Sequence, residues 1–550
     1  MNFKKILLLI LTINSFFVFS QDITRKDSLR GNLTSIRTCY DVTFYDLNIA
    51  IDEVEKSIEK STNTIYFTAV SDFEIIQIDL ASNMEIIQID FEEEKLDFDR
   101  EFDAVYIYFN RTIKKNEQSK IKILYGGYPK EAVNPPWDGG FSWDIDKNKN
   151  PWIGVSCQGL GASTWWPCKD HQSDEPDSMR IKVAARYPLK IVSNGNLRSD
   201  TTVWNQYFNS WMNVSEWFVS YPINNYNVTL NIGDYVNFND NYISNNDTLV
   251  LDYYVLNGNV NKAKEHFEQV KPMMQCFENL FGKYPFWNDG FALVETSYLG
   301  MEHQSAIAYG NNFLEGYNGN TSFIDGLNFD YIIVHESGHE WWGNSITSSD
   351  IADMWIHEGF CTYSEVLFVE CIYGYDKMLS YVNNQKKNVV NNKPIIGPYH
   401  VNKQGSSDMY FKGSLMLHTI RNVINDDEVW FKIIFDISNN FKYKVVNGQQ
   451  IIDYINFESK RDLSIIFNQY LLNKNIPEFQ YSLANEGINT TLVYRWEAID
   501  DFDMPILINT GKEDFWIYPT SSTKETNLGS FDRNDFNIRT DLFYINTKKQ

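Results

Sequence analysis

The sequence predicts a multidomain α+β protein with a β-rich N-terminal domain, an α-rich middle domain and a small C-terminal β domain. From residue 45 to about 230, polar and apolar residues mainly alternate, which is the period of strands buried on one face. After about residue 247, apolar residues recur at helical spacing, and the alternation returns from residue 490. The expected domains are 21–246, 247–480 and 481–550.

The chain is long and apolar enough to bury more than one core. It has 550 residues, of which 43% are hydrophobic and 15% aromatic, so disorder is excluded as its main character. Its formal net charge of −24 argues against anionic partners, namely nucleic acids and acidic membrane surfaces.

In the β-rich domain, one six-residue string occurs twice. Residues 74–79 and 85–90 both read Glu-Ile-Ile-Gln-Ile-Asp, and the segment between them contains Ser82-Asn83. We expect these two similar strands to form a hairpin.

Elements of the other two domains are also readable from their spacing. Apolar residues at helical spacing predict a helix over 263–281 that stops at Gly282, with Pro272 kinking or dividing it. Alternation over 492–496 and over 542–545 predicts two strands of the C-terminal domain.

The first twenty residues predict a secretory signal peptide. Lys4 and Lys5 supply a positive start, residues 6–19 are mostly apolar, and the small Ser20 precedes Gln21. The apolar run is too short for an ordinary membrane-spanning helix, and a short membrane anchor is the alternative. We therefore expect an exported protein, periplasmic or extracellular, with no stable membrane anchor after cleavage.

The six cysteines lie beyond this leader, and an exported compartment would permit disulfides. Cys157 and Cys168 flank a turn-prone Trp-Trp-Pro stretch and are the favoured pair; buried free thiols are the alternative. Cys361 and Cys371 fall on one predicted helix, where ten residues correspond to roughly 15 Å, so they should not bond to each other.

A pair of histidines predicts a metal site in the middle domain. His335 and His339 lie one helical turn apart and can bind the same ion, although two unrelated histidines would satisfy the motif alone. Glu358 follows His339 by nineteen positions on the next predicted helix, where a solvated carboxylate is the alternative. Two His and one Glu with one open position are a known ligand set of catalytic zinc, so we expect one zinc ion per chain.

Three neighbouring residues complete this interpretation. Glu336 would accept a proton from a zinc-bound water that attacks the substrate carbonyl, and would later pass this proton to the leaving amine. Glu365, two turns after Glu358, would orient a ligand histidine, or else be a surface carboxylate. His357 points about 100° away from Glu358 on a helix and is interpreted as structural.

These residues resemble the zinc aminopeptidases of the aminopeptidase N and leukotriene hydrolase family. That family combines His-Glu-x-x-His with a Glu after eighteen intervening residues, and the contexts Trp342-Gly343-Asn344 and Glu358-Gly359-Phe360 match it as well. The resemblance covers nearly all of the chain after the leader. It implies a saddle-like N-terminal β domain, a thermolysin-like catalytic domain and a zinc cofactor.

The resemblance also implies roles for four further residues. Leu299-Gly-Met-Glu-His303 corresponds to the family's Gly-x-Met-Glu-Asn motif, so Glu302 would bind the free α-ammonium group of a peptide and Met301 would line the first side-chain pocket. Gln158 resembles the Gln that helps to hold this amine. Tyr410 resembles the Tyr that stabilises the oxyanion of the tetrahedral intermediate. His303 in place of Asn and Leu299 in place of Gly depart from the motif and could alter the grip on the substrate backbone.

The function predicted from these residues is hydrolysis of the N-terminal bond of peptides with a free N-terminus. Glu302 would set the cut one residue from that terminus by pairing with the ammonium group. Three alternatives stay open at this point: an endopeptidase, a hydrolase of lipid epoxides, and an inactive peptide-binding homologue.

Overall fold

The computed structural model describes residues 23–321, 326–486 and 489–550. The predicted signal peptide, residues 1–20, lies outside the described residues. The β, α, β order of the chain is confirmed. No helix within the described residues has both the length and the apolar character needed to cross a membrane.

The N-terminal region contains strands and two short helices. Its elements are α1 (Arg25–Gly31), α2 (Ser35–Thr38), β1 (Tyr40–Asp52), β2 (Ser57–Ala69), β3 (Phe73–Asp79), β4 (Met84–Phe91), β5 (Glu94–Lys95), β6 (Asp97–Glu101), β7 (Ala104–Ile113), β8 (Gln118–Gly127), β9 (Gly140–Ile145), β10 (Pro151–Ser156), β11 (Ser178–Arg186), β12 (Lys190–Ser193), β13 (Asn196–Asn205), β14 (Ser210–Val219) and β15 (Leu230–Gly233).

Three sheets organise this region. The largest has eight strands in the order β13-β14-β11-β1-β2-β8-β4-β5, and smaller sheets have the orders β12-β15-β10-β9 and β3-β7-β6. The alternation in the sequence corresponds to alternating burial along the strands. In β1, for example, Leu47, Ile49 and Ile51 are buried, whereas the residues between them are only partly buried. Their side chains join one apolar core with those of the smaller sheets.

The repeated six-residue string does not form the predicted hairpin. Both copies are strands, but β3 pairs with β7 while β4 pairs with β8 in the eight-stranded sheet. Buried side chains on each strand, such as Ile76, Ile78 and Ile89, belong to the same core. The two strands therefore lie in different sheets, because both need an apolar face on the core between the sheets.

The middle region is mainly helical. Its elements are β16 (Tyr235–Ser244), β17 (Asp247–Leu256), α3 (Val260–His266), α4 (Val270–Phe281), β18 (Phe291–Glu295), β19 (Gly300–Met301), β20 (Ile307–Tyr309), α5 (Tyr331–Gly338), β21 (Ile346–Ser348), α6 (Trp355–Tyr373), α7 (Tyr375–Gln385), α8 (Phe411–Ile424), α9 (Asp427–Asn440), β22 (Lys444–Val446), α10 (Gly448–Ser459) and α11 (Ser464–Leu472).

The expected boundary between the N-terminal and middle domains, 246/247, falls within a β-hairpin. β16 pairs with β17 through the turn at residues 245–246, and β17 continues into the five-stranded sheet β16-β17-β18-β20-β19. A division at 246/247 therefore separates two paired strands, and β16 belongs to the sheet of the middle region.

The predicted helix over 263–281 is divided, as expected. A short 3-10 turn at Phe267–Gln269 separates α3 from α4. Pro272 lies in the first turn of α4, where its missing N–H costs no intrahelical bond. Gly282 ends the helix with a φ of 89°, a conformation that glycine adopts readily.

The C-terminal strands pack on the helical region. They are β23 (Glu478–Glu486), β24 (Asn489–Glu497), β25 (Ile506–Asn509), β26 (Asp514–Ile517), β27 (Lys524–Asn527), β28 (Asn537–Ile538) and β29 (Asn546–Lys549). The alternation over 492–496 corresponds to β24, with Leu492 and Trp496 buried. The strand predicted over 542–545 is wrong, because these buried residues form a turn and an irregular segment before β29.

All six cysteines are free thiols. The predicted pairing of Cys157 with Cys168 is therefore wrong, and the alternative of buried thiols is confirmed for both residues. Burial raises the pKa of each thiol, which keeps them protonated. Cys361 and Cys371 do not bond to each other, as expected.

A buried ion pair ties the N-terminal helices to the β sheets. The Arg37 guanidinium lies 2.7 Å from the Asp79 carboxylate, and both side chains are fully buried. The same guanidinium donates to the carbonyl oxygens of Leu29 and Asp170, at 3.0 and 3.1 Å. Arg37 thus links α1, α2, β3 and the segment after Cys168.

We predict that Arg37→Met lowers the free energy of unfolding by about 3–5 kcal/mol, because it removes the ion-pair partner of the buried Asp79 carboxylate. Urea unfolding followed by tryptophan fluorescence measures this loss. Lys114→Met is the matched control, since Lys114 pairs with Asp72 on the surface at 2.9 Å, where the loss should stay below about 1 kcal/mol. Equal losses in the two variants would contradict the prediction.

Candidate active site

The two histidines of the predicted metal site lie at the end of α5. Asp330 caps the start of this helix by accepting from the backbone N–H groups of Ile332 and Ile333, at 2.9 and 3.4 Å. His335 lies in the helix and His339 directly follows its last residue. Their Nε2 atoms are 3.3 Å apart, so both can bind one ion.

Glu358, in the first turn of α6, supplies the third ligand atom. Its Oε2 lies 3.6 Å from Nε2 of His335 and 3.4 Å from Nε2 of His339. A tetrahedral zinc ion about 2.0–2.1 Å from each ligand requires edges of about 3.3 Å, close to these distances. Glu358 Oε2 is also buried without a hydrogen-bond partner among the described residues, so the donor set fits a divalent cation.

Hydrogen bonds behind the histidines orient their rings. Nδ1 of His335 lies 2.6 Å from Oε1 of Glu365, whose other oxygen accepts from the Tyr381 hydroxyl at 2.7 Å. Nδ1 of His339 lies 2.9 Å from the carbonyl oxygen of Trp342. Both Nδ1 atoms therefore donate, which leaves each Nε2 lone pair available for the ion. Glu365 is thus buried behind His335 and does not lie at the surface.

Small residues let the helices approach closely enough for this geometry. A Cβ added to Gly338 would lie 3.0 Å from Sγ of Cys361 on α6. The Cys361 thiol in turn donates to the carbonyl oxygen of His335, at 2.7 Å. The glycine in the metal-binding helix thus costs helix propensity and permits the contact with α6.

Glu336 projects beside the ligands and is almost fully buried. A Cβ added to Gly300 of β19 would lie 2.7 Å from its Oε1, so the carboxylate packs against this strand. Burial raises the pKa of Glu336 to about 8. A carboxyl group with this pKa can both accept and release a proton near neutral pH.

One cavity of about 430 Å³ contains nearly all of the predicted site residues. Its lining includes the following members of that set: Gln158, Met301, Glu302, His335, Glu336, His339, Glu358 and Tyr410. Glu365 lies behind His335 and does not line it. The described lining otherwise consists mainly of apolar and aromatic side chains, and it contains no Lys or Arg.

Glu302 follows the two-residue strand β19 and is held by hydrogen bonds from the N-terminal region. Its Oε1 accepts from Nε2 of Gln158 at 2.9 Å and from the hydroxyl of Tyr226 at 3.1 Å. Gln158 Nε2 also donates to Glu358, so one amide links this carboxylate to a metal ligand. Burial raises the pKa of Glu302, an effect that a cationic ligand would oppose.

Tyr410 lines the same cavity and lies directly before α8. Its ring stacks on that of His335, with centroids 6.1 Å apart and planes 24° apart. Burial raises the pKa of its hydroxyl well above the usual value, so the group stays a hydrogen-bond donor. It is therefore placed to donate to an oxygen of a ligand in the cavity.

The departures from the family motif differ in their consequences. Leu299 lines the cavity. His303 is fully buried, does not line the cavity, and has no hydrogen-bond partner for either ring nitrogen among the described residues. Burial lowers its pKa to about 3, so the ring is neutral. His303 is thus a core residue that is not in contact with the space for a substrate.

Three residues around Glu302, namely Tyr226, His357 and Asn344, were given no role in the site by the sequence analysis. Tyr226 and His357 lie behind Glu302. Asn344 donates to the backbone carbonyl of Glu302 at 2.9 Å and to Oε1 of Glu340 at 3.1 Å. Only Asn344 had a visible signal, as part of the Trp-Gly-Asn context after the histidines. The others are isolated polar residues whose partners are distant in sequence.

The fold, the His-His-Glu ligand set and the adjacent Glu336 resemble those of gluzincin metallopeptidases. Residues 265–470 match the family model described as "Peptidase family M1 domain". This part of the chain is therefore similar to the domain of peptidase family M1.

Curated relatives match over less than half of the chain. The probable aminopeptidase 2 of Sulfurisphaera tokodaii is 22% identical over 245 residues, which cover 42% of this chain and 31% of the relative. Aminopeptidase N of Haemophilus influenzae is 26% identical over 206 residues, which cover 36% of this chain and 23% of the relative. The matches thus span less than a third of these relatives.

A solved structure matches over more of the fold. A mutant of an M1 zinc metallopeptidase from Deinococcus radiodurans, bound to a Tyr-Ser-Ala substrate, has a TM-score of 0.65 and 17% sequence identity. The superposition covers 80% of this chain and 95% of that chain. The two proteins share their fold.

We predict that Glu365→Gln weakens zinc binding by about 10- to 100-fold, because the amide holds the His335 ring less firmly and makes it a weaker ligand. Titration of the metal-free protein with zinc against a competing chelator measures the affinity. The matched control is Asp376→Asn, an exposed carboxylate on the neighbouring helix α7, which should bind zinc like the wild type. An unchanged affinity in Glu365→Gln would contradict the orienting role.

Proposed function

We propose that this protein is a zinc-dependent aminopeptidase that hydrolyses the N-terminal bond of peptides with a free N-terminus. The observation that carries the proposal is the position of Glu302, a buried carboxylate that lies in the same cavity as the three ligand residues and Glu336. Peptidase family M1 and the aminopeptidases among the relatives support the same activity.

The charges of the cavity support a cationic substrate. Glu302, Glu336 and Glu358 line it without a Lys or Arg in the described lining. Buried carboxylates without counter-charges are costly. One zinc ion held by His335, His339 and Glu358 compensates part of this charge, and the ammonium group of a peptide N-terminus beside Glu302 compensates more.

Each residue then has a defined task. Zinc at this site would supply Lewis acidity toward water and the scissile carbonyl. Glu336 accepts the proton of the attacking water and returns it to the leaving amine. Tyr410 donates a hydrogen bond to the oxyanion as it develops. Met301, buried beside Glu302, lines the space for the first side chain.

The location of the protein is part of this proposal. The leader at residues 1–20 supports export to the periplasm or to the outside of the cell, with the signal peptide removed. Peptides met in such a compartment are the proposed substrates.

We predict that Glu336→Gln lowers kcat/KM by about 10³-fold or more while zinc stays bound. The amide keeps the shape of the side chain but can neither accept nor return the proton. Initial rates on an aminoacyl-coumarin substrate and atomic absorption of the purified variant measure both quantities. Loss of zinc in step with activity would contradict the role of Glu336 as a base.

A second prediction tests the free N-terminus. The wild type should cleave an unblocked peptide and leave its N-acetylated form intact, and Glu302→Gln should lower kcat/KM on the unblocked peptide by about 10²–10³-fold. Mass spectrometry of the products identifies the bond cut. Glu295→Gln is the matched control, because Glu295 is another buried carboxylate and does not line the cavity; its kcat/KM should stay within about twofold of the wild type.

The same assay separates the alternatives. Internal cleavage or equal cleavage of both peptides would indicate an endopeptidase. An absence of cleavage together with peptide binding would indicate an inactive homologue. Hydrolysis of a lipid epoxide without cleavage of peptides would indicate the third alternative.

A further inference from the structure

Two buried residues that the mechanism does not use form a chain of hydrogen bonds to Glu302. Tyr226 belongs to a short 3-10 turn before β15, and His357 to the first turn of α6. Neither lines the cavity. Their rings lie nearly parallel, 20° apart, with centroids separated by 6.4 Å.

The direction of each hydrogen bond follows from one backbone donor. The N–H of Ser348 donates to Nε2 of His357 at 2.8 Å, so this nitrogen carries a lone pair. A neutral imidazole has one N–H, which must then be on Nδ1. Nδ1 lies 3.2 Å from the Tyr226 hydroxyl oxygen and therefore donates to it.

The Tyr226 hydroxyl is thus left to donate its own hydrogen to Glu302. Its oxygen lies 3.1 Å from Oε1 of Glu302. The opposite direction, from Tyr226 to His357, would require a second lone pair on a ring that has only one. Ser348, His357, Tyr226 and Glu302 therefore form a polarised chain in which every donor points toward the carboxylate.

This chain acts on one oxygen of Glu302 only. Gln158 and Tyr226 both donate to Oε1, which leaves Oε2 available to a ligand in the cavity. A carboxylate fixed in this way meets an ammonium group without reorganising, and its charged form is stabilised by two hydrogen bonds.

We propose that His357 and Tyr226 are positioning residues that fix the Glu302 carboxylate for the ammonium group of the substrate and so set how strongly the enzyme prefers a free N-terminus. This inference rests on the proposed aminopeptidase function and adds two residues to it. A purely structural role would affect ligands with and without an amine alike.

Two inhibitors that differ by a single amine test the proposal. L-leucine hydroxamate and 4-methylpentanohydroxamic acid share the zinc-binding group and the side chain, and only the first has an α-amino group. Isothermal titration calorimetry on the zinc-loaded protein gives both Kd values without need for turnover. Their ratio is the preference for the amine.

Tyr226→Phe should reduce this preference about 10-fold, as expected for loss of one hydrogen bond to a charged group, and leave the Kd of the amine-free inhibitor unchanged. Tyr235→Phe is the matched control, because Tyr235 is a buried tyrosine that donates to the backbone carbonyl of Glu295 at 2.8 Å. It should keep the preference of the wild type.

Two substitutions of His357 test the direction of the chain. His357→Gln keeps one acceptor for Ser348 and one donor for Tyr226, so it should retain most of the preference. His357→Leu has neither the acceptor nor the donor, so its preference for the amine should fall by about as much as in Tyr226→Phe. These variants also test the proposal independently if Tyr226→Phe fails to fold.

The outcomes distinguish failure of the proposed function from failure of the positioning roles. A wild type that binds both inhibitors equally would overturn the proposed function, and the positioning roles with it. A wild type that prefers the amine, together with a Tyr226→Phe variant that keeps this preference or weakens both inhibitors equally, would overturn the positioning roles and leave the aminopeptidase function standing.

Discussion

The close contact between α5 and α6 is the constraint on which the site depends. The three candidate ligand atoms lie 3.3 to 3.6 Å from one another. The backbones of the two helices must therefore lie close together. Gly338 makes room for Cys361, and the Cys361 thiol returns a hydrogen bond to the His335 carbonyl. A Cβ at position 338 would lie 3.0 Å from the Cys361 sulfur, so a larger residue there would press on α6, which carries Glu358.

Buried negative charge determines what this centre can accept. A protein interior with three cavity carboxylates and no Lys or Arg in its described lining gains most from cations, because each one removes an uncompensated charge from a poorly solvated site. A zinc ion and the ammonium group of the proposed peptide substrate would meet this need at two adjacent positions. Gln158 donates to both carboxylates concerned and holds them apart without adding charge.

The sequence predicted the parts of the fold and site that rest on local spacing. The order of the domains, the division of α3 from α4 and the His-Glu-x-x-His helix all follow from periods of two or 3.6 residues. The sequence did not predict which strands pair. The repeated string of β3 and β4 was expected to form a hairpin, but the two strands pair with β7 and β8 in different sheets and bury their apolar side chains in one core. His357 was interpreted as structural because it points about 100° away from Glu358 on the helix. Its hydrogen bond to Tyr226 spans 131 positions, so the sequence did not indicate it.

The proposed amine-binding part of the site belongs to neither region alone. Glu302 comes from the middle region, whereas Gln158 and Tyr226 come from the N-terminal region. Asparagines hold this interface: Asn224 donates to the carbonyl oxygen of Gly343 at 3.0 Å, and Asn227 donates to Asn344. Amides satisfy buried polar groups without introducing charge, so the interface can be fixed firmly beside a site whose function depends on its charge balance. The geometry of the candidate metal centre therefore depends on two helices, and the geometry of the proposed amine site depends on the contact between two regions.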